Sequence, residues 1–228
     1  MRRILIVAAH PDDEVLGCGG TLARLAREGH ECHVVILAEG MTSRAELPAA
    51  QSHAGVGALR EAAHAAGSIL GAASVDLLGF PDNRMDTVPL LEVVQAVERK
   101  VADIRPHMVF THHRGDLNID HEIVARAVET ATRPASGATP EEVYAFEVPS
   151  STDWSFADPR GGFHPNHFVD VTGSLASKVE ALKAYASEIR PFPHPRSQEA
   201  IEALARVRGA QAGLHAAEAF ALVRRIVR

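Results

Sequence analysis

The sequence predicts an α/β fold: a Rossmann-like, doubly wound, mostly parallel sheet flanked by helices in three layers. Three observations predict it. Short apolar runs rich in branched residues recur through the first half of the chain, at Ile4–Ala9, Cys32–Leu37, Val75–Leu78 and His107–Thr111. They are continuous rather than alternating, as in strands buried on both faces. Segments with helical spacing separate them, and a β-α-β-α-β-α-β order packs best as a parallel sheet between helices.

Each element has a local reason. After the first run, residues 15–28 read as a helix through Leu16, Leu22, Leu25 and Ala26, with Gly29 closing it. A polar loop is expected over residues 39–52, then an alanine-rich helix over residues 54–70 stopped by Gly71. The third run ends at Gly79-Phe80-Pro81-Asp82, and a helix follows over residues 89–104 with Pro89 in its first turn. Later come a helix at 121–132, strands at 143–148 and 167–171, and helices at 175–187 and 199–210. The proline-rich stretch 189–197 is a loop, and residues 216–228 suit helix or strand. No repeat, low-complexity tract or linker divides the 228 residues, so one domain spanning 1–228 is expected.

Composition narrows the partners. A formal charge of -6 is a poor match for a phosphate backbone, which argues against nucleic acid. Cys18 and Cys32 cannot build a disulfide framework. The apolar stretch behind Arg2 and Arg3 is shorter than a signal-peptide core. No run reaches the roughly 18 apolar residues that span a bilayer. A cytoplasmic protein without stable membrane insertion is the expectation, and a homo-oligomer is expected.

Two motifs fall at strand ends, where open α/β sheets bind ligands. His10-Pro11-Asp12-Asp13-Glu14 follows the first strand. His112-His113 follows the fourth and leads through Asn118-Ile119-Asp120 to His121. At a topological switch point the two edges are neighbours. Two imidazoles and one carboxylate suit a tetrahedral zinc with one open position, and the ion acidifies a bound water. A second carboxylate outside the shell can take the water's proton. Asp12 and Asp13 could divide these tasks. The plainer alternative makes Asp12, Asp13 and Asp120 helix caps. Gly17-Cys18-Gly19-Gly20 does not follow the dinucleotide pattern and lies inside the helix. Close packing explains those glycines better.

The sequence resembles the LmbE/PIG-L family of zinc-dependent N-deacetylases. The likeness rests on Ala9-His10-Pro11-Asp12-Asp13-Glu14 with Leu16-Gly17-Cys18-Gly19-Gly20-Thr21, on Arg60-Glu61-Ala62, on Gly79-Phe80-Pro81-Asp82, and on Thr111-His112 through Asp120-His121. Lys178, Tyr185 and Glu218 also look familial. The resemblance implies an LmbE-like fold, with His10, Asp13 and His121 as metal ligands and Asp12 as general base. It implies zinc, with Fe2+ or Co2+ able to occupy such a site. It implies a small-molecule substrate, an N-acetylated amino sugar or a conjugate such as a nucleotide-sugar. Arg60 is expected to contact substrate or brace the acidic loop; an exposed helix arginine is the alternative.

One departure stands out. Many family members carry a histidine where this chain has Asn118, and that histidine helps polarise the carbonyl. Asn118 would be a weaker oxyanion donor. His112, His113, His164 and His194 are candidates for the missing function, with His112 and His194 taken as substrate-binding. Asp120 is expected to orient His121 or a neighbouring group. Arg190, His194 and Arg196 would suit a phosphate if their loop folded over the pocket. Trp154 and Phe156 would stack on a sugar or pack in the core. His53, His64 and His107 read as structural. Two rival functions are a zinc-dependent amidase for a non-sugar amide and a non-catalytic, metal-stabilised binding domain.

Overall fold

The computed structural model describes residues 1–38, 40, 49–134, 139–156 and 162–227, with side chains at 49–54 left aside. The chain runs β1 (Arg3–Ala8), α1 (Asp13–Arg27), β2 (Glu31–Ala38), α2 (Ala49–Leu70), β3 (Ser74–Phe80), α3 (Leu90–Ile104), β4 (Met108–His112), α4 (Ile119–Ala131) and β5 (Glu142–Phe146). Then come β6 (His167–Asp170), α5 (Leu175–Ala184), α6 (Gln198–Ala212) and β7 (Ala217–Arg225). The tail left open by the sequence is therefore a strand. Most of the expected polar loop lies outside the described residues, and α2 begins earlier than its apolar spacing suggested.

The seven strands pair in the order β3-β2-β1-β4-β5-β7-β6. β1 to β5 are parallel; β7 runs antiparallel to both β5 and β6. Strand order reverses between β1 and β4, which makes that edge the switch point. Alternation along β1 splits the core between two faces. Ile4, Ile6 and Ala8 pack with α1, α2 and α5. Leu5, Val7 and Ala9 pack with α3 and α4. All six are buried, so β1 carries apolar residues on both faces and reads as a continuous run.

α1 is broken at Cys18 (φ -148, ψ 21), next to the glycine cluster. A Cβ on Gly17 would sit 2.4 Å from the Phe146 ring, and one on Gly20 would sit 2.9 Å from Val171. The glycines thus permit close approach. The break exposes backbone groups that two buried side chains satisfy. Lys178 Nζ donates to the Leu16 carbonyl at 2.8 Å. Glu218 accepts from the amides of Gly20 (2.9 Å) and Thr21 (2.7 Å). The two side chains pair at 2.6 Å. Among the described residues no helix is long and apolar enough to cross a membrane.

Candidate metal centre

β1 ends at Ala8, and the chain turns through His10-Pro11-Asp12 into α1. Asp12 sits in the left-handed region (φ 112), strained for a residue with a Cβ. Its amide donates to Glu14 Oε2 at 3.1 Å, and Tyr185 holds the other oxygen of Glu14 at 2.6 Å. The turn sends the adjacent carboxylates apart. Asp13 faces the histidines, whereas Asp12 faces Arg196, whose Nη1 donates to Asp12 Oδ2 at 2.8 Å. Asp12 occupies the N-cap position, but its side chain makes no capping hydrogen bond.

The structure brings His10, Asp13 and His121 together. His10 Nδ1 lies 3.2 Å from His121 Nε2 and 3.2 Å from Asp13 Oδ2, and His121 Nε2 lies 3.1 Å from Asp13 Oδ2. Atoms around a tetrahedral zinc at bonds of about 2.0 Å stand about 3.3 Å apart. The triangle has nearly that size. Asp13 Oδ1 is buried without a hydrogen-bond partner among the described residues. Donor set and spacing therefore fit a divalent cation.

Each imidazole is buttressed from behind. His10 Nε2 lies 3.0 Å from Asp120 Oδ2 and 3.4 Å from Asp82 Oδ1. Asp120 Oδ1 accepts from the Met85 amide at 2.9 Å. Asp120 thus orients His10. His121 Nδ1 makes a bent contact, 3.2 Å, with Asp116 Oδ1. Asp116 is held by the hydroxyls of Ser151 and Thr152 and by the Asn118 amide. His10, Asp82 and Asp120 form a second His/Asp group around the same ring.

The fields are strong. Burial alone would depress His10, but the carboxylates of Asp120, Asp13 and Asp82 outweigh it and raise its pKa to about 10. His121 rises to about 9 because Asp13 and Asp116 outweigh its burial. Asp13 is held well below the usual carboxylate range: burial pushes it up, and His121 and His10 more than offset that. Burial pushes Asp12 up, against the pull of Arg196. Asp116 falls to about 2 despite burial, through His121, Ser151 and Thr152.

A solvent-open cleft of about 490 Å³ lies over the cluster, walled by His10, Asp12, Asp82, Asn83, Asn118 and Arg196 among others. Asn118 lies there, but its amide is engaged at both ends. Oδ1 caps α4 by accepting from Asp120 N (2.9 Å), and Nδ2 donates to Asn83 Oδ1 (2.9 Å).

Other expectations are corrected. His112 lies inside the protein and not on the cleft wall. It is 1% exposed, Nε2 accepts from the Ala9 amide at 2.8 Å, and its ring stacks on His121. As the last residue of β4 it points into the protein. Burial and the neighbouring His121 hold its pKa well below the ordinary value. Arg60 lies exposed on α2 and outside the cleft wall. His194 also lies off the wall; its Nδ1 accepts from the Arg196 amide and its ring meets Trp154 edge-on. His164 is exposed, and His113 packs against Phe163. Arg190 turns back to nearby backbone carbonyls, so Arg196 alone of the three loop residues reaches the cleft. Trp154 (41% exposed) and Phe156 (87%) are not core residues. His107 Nδ1 accepts from the Arg3 amide, His64 is exposed, and the His53 side chain lies outside the described residues.

The sequence offers Asp82 only as part of a motif, with no role, and does not single out Asp116 or the Asp12–Arg196 pair. The two aspartates follow strand ends, a signal shared with ordinary turn residues. Nothing local links residues 12 and 196.

Fold and site together define a doubly wound α/β protein with a candidate divalent-metal centre at its switch point. Residues 5–132 match the family model described as PIG-L, GlcNAc-PI de-N-acetylase, and the chain belongs to that family. It is 28% identical over 250 residues to 1D-myo-inositol 2-acetamido-2-deoxy-alpha-D-glucopyranoside deacetylase of Rhodococcus erythropolis, covering 84% of this chain and 83% of that one. It is 30% identical over 205 residues to 4-oxalmesaconate hydratase of Pseudomonas putida, covering 81% and 73%. In fold it resembles N,N'-diacetylchitobiose deacetylase from Pyrococcus horikoshii (TM-score 0.78, 18% identity, 97% and 84% of the two chains).

Proposed function

We propose that this chain is a metal-dependent deacetylase that hydrolyses the N-acetyl group of an amino sugar or sugar conjugate. The observation that carries the reading is the ligand triangle of His10, Asp13 and His121 beside a carboxylate, Asp12, that faces the same cleft. Those three residues would hold the cation, zinc by donor set, which supplies Lewis acidity towards the carbonyl and a more acidic water. Asp12 receives the proton of the attacking water and returns it to the departing nitrogen. Asp120 and Asp116 fix the faces of His10 and His121. The deacetylase relative and the family description support an N-acetyl sugar.

The test is amine release from a panel of N-acetylated sugars by zinc-loaded protein. Wild type should release amine; Asp12→Asn should keep its metal and lose turnover. Hydrolysis by Asp12→Asn at the wild-type rate would remove Asp12 from the mechanism. A second reading, hydration of an unsaturated polycarboxylate, is supported by the likeness to the hydratase. It predicts loss of the substrate's double-bond absorbance and no amine release.

A further inference from the structure

Acyl transfer needs a donor for the carbonyl oxygen as it turns into an oxyanion. Asn118 is neutral, and its amide already bridges Asp120 and Asn83. His112 is sealed behind His121, and Arg60 and His164 lie exposed elsewhere. Of the basic residues on the described cleft wall, His10 is committed to the ligand triangle, which leaves Arg196.

Arg196 is held in place on three sides. Nε donates to Ser150 Oγ at 2.8 Å, Nη1 donates to Asp12 Oδ2 at 2.8 Å, and the backbone amide donates to His194 Nδ1 at 3.0 Å. The next residue, Ser197, caps α6 through the Ala200 amide. A guanidinium carries about five N–H donors. Two of them are used in these hydrogen bonds, while Glu188, also on the cleft wall, adds a longer-range electrostatic pull. The side chain is 23% exposed, on the cleft side. A planar fork fixed at two corners is preorganised for a third acceptor.

We infer that Arg196 is the oxyanion donor of this site, a catalytic residue that replaces the role Asn118 cannot fill. The inference rests on the deacetylase reading. As the water oxygen bonds to the acetyl carbon, the carbonyl π pair moves onto oxygen, and a free Arg196 N–H donates to it. Asp12 takes the water's proton. The C–N bond then breaks, the oxygen pair re-forms the carbonyl, and the nitrogen leaves with the proton from Asp12. Arg196 is unchanged, and its pairing with Asp12 ties donor and base into one unit.

The test uses zinc-loaded full-length protein. Arg196→Gln should cut kcat about 100- to 1000-fold, the cost of losing one oxyanion donor. KM should stay within about threefold and bound zinc should be unchanged. Arg196→Lys, which keeps the charge but not the fork, should recover part of the loss. A readout without turnover separates contact from bracing. Methylphosphonate, a tetrahedral anion, should bind Asp12→Asn protein at least about tenfold tighter than Asp12→Asn/Arg196→Gln, with neutral acetamide binding equal in both. Equal methylphosphonate binding, or Arg196→Gln at wild-type kcat, would overturn the inference and leave deacetylation standing. If wild type releases amine from no N-acetyl sugar yet the methylphosphonate difference holds, the deacetylase reading falls. Arg196 then stands as the donor to a tetrahedral anion in another reaction.

Discussion

Glu218→Ala should be among the most damaging substitutions outside the cleft. Glu218 and Lys178 are a buried pair, about 5% and 6% exposed, in contact at 2.6 Å. Together they satisfy one carbonyl and two amides freed by the break in α1. Removing one member of such a pair costs about 3–5 kcal/mol, because the partner's charge stays buried. Typical stabilities are about 5–15 kcal/mol, so much of the total would go. For a chain of this size each kcal/mol moves Tm by about 2–4 °C, which predicts a fall of roughly 6–20 °C. Zinc affinity should fall as well, since the same break sets the direction of the half-helix carrying Asp13. Urea denaturation and zinc competition would measure both effects. Lys178→Met/Glu218→Leu should be less destabilised than Glu218→Ala, because no buried charge is left alone. A Glu218→Ala loss below about 1 kcal/mol would refute the argument.

Four further outcomes are expected. The raised His10 and His121 pKa values mean that zinc must displace protons, so apparent affinity should climb with pH between 6 and 8 by about tenfold per unit for each proton released; flat chelator-competition curves would contradict this. The same shifts stabilise the metal-free chain fully below about 6.5 and cease to do so as pH rises through about 9 to 10, which alkaline urea titrations would show. Asp116→Asn weakens the brace on His121 and should lower zinc affinity about 10- to 100-fold by dye competition. Gly17→Ala drives a methyl into Phe146, whose ring packs edge-on against His112, and should cost about 1–3 kcal/mol in a thermal melt; an unchanged Tm would mean the ring yields freely.

The parallel half of the sheet was legible because β1, β2 and β4 are buried on both faces and their apolar runs leave little choice. β7 was not, since its first half is buried between β5 and β6 while its second half is largely exposed. That mixed pattern suits either helix or strand. His10, Asp13 and His121 were legible because the motifs fall at two strand ends that the topology makes neighbours. His112 was misread for a related reason. One more residue of strand turns a loop histidine into an inward one, and sequence boundaries are uncertain by that much. Arg196 was visible as a cation in a proline-rich loop, but its partner lies at the other end of the chain. Pairings of that span come from the packing of α5 on α1 and α2 and of α6 on β7 and β6, which no local pattern encodes.

Crystals soaked in zinc and measured at the zinc absorption edge address the ligand assignment most directly. The account predicts one strong anomalous peak about 2.0–2.2 Å from His10 Nδ1, Asp13 Oδ2 and His121 Nε2. A peak instead among His10 Nε2, Asp82 and Asp120, or none at either cluster, would contradict it.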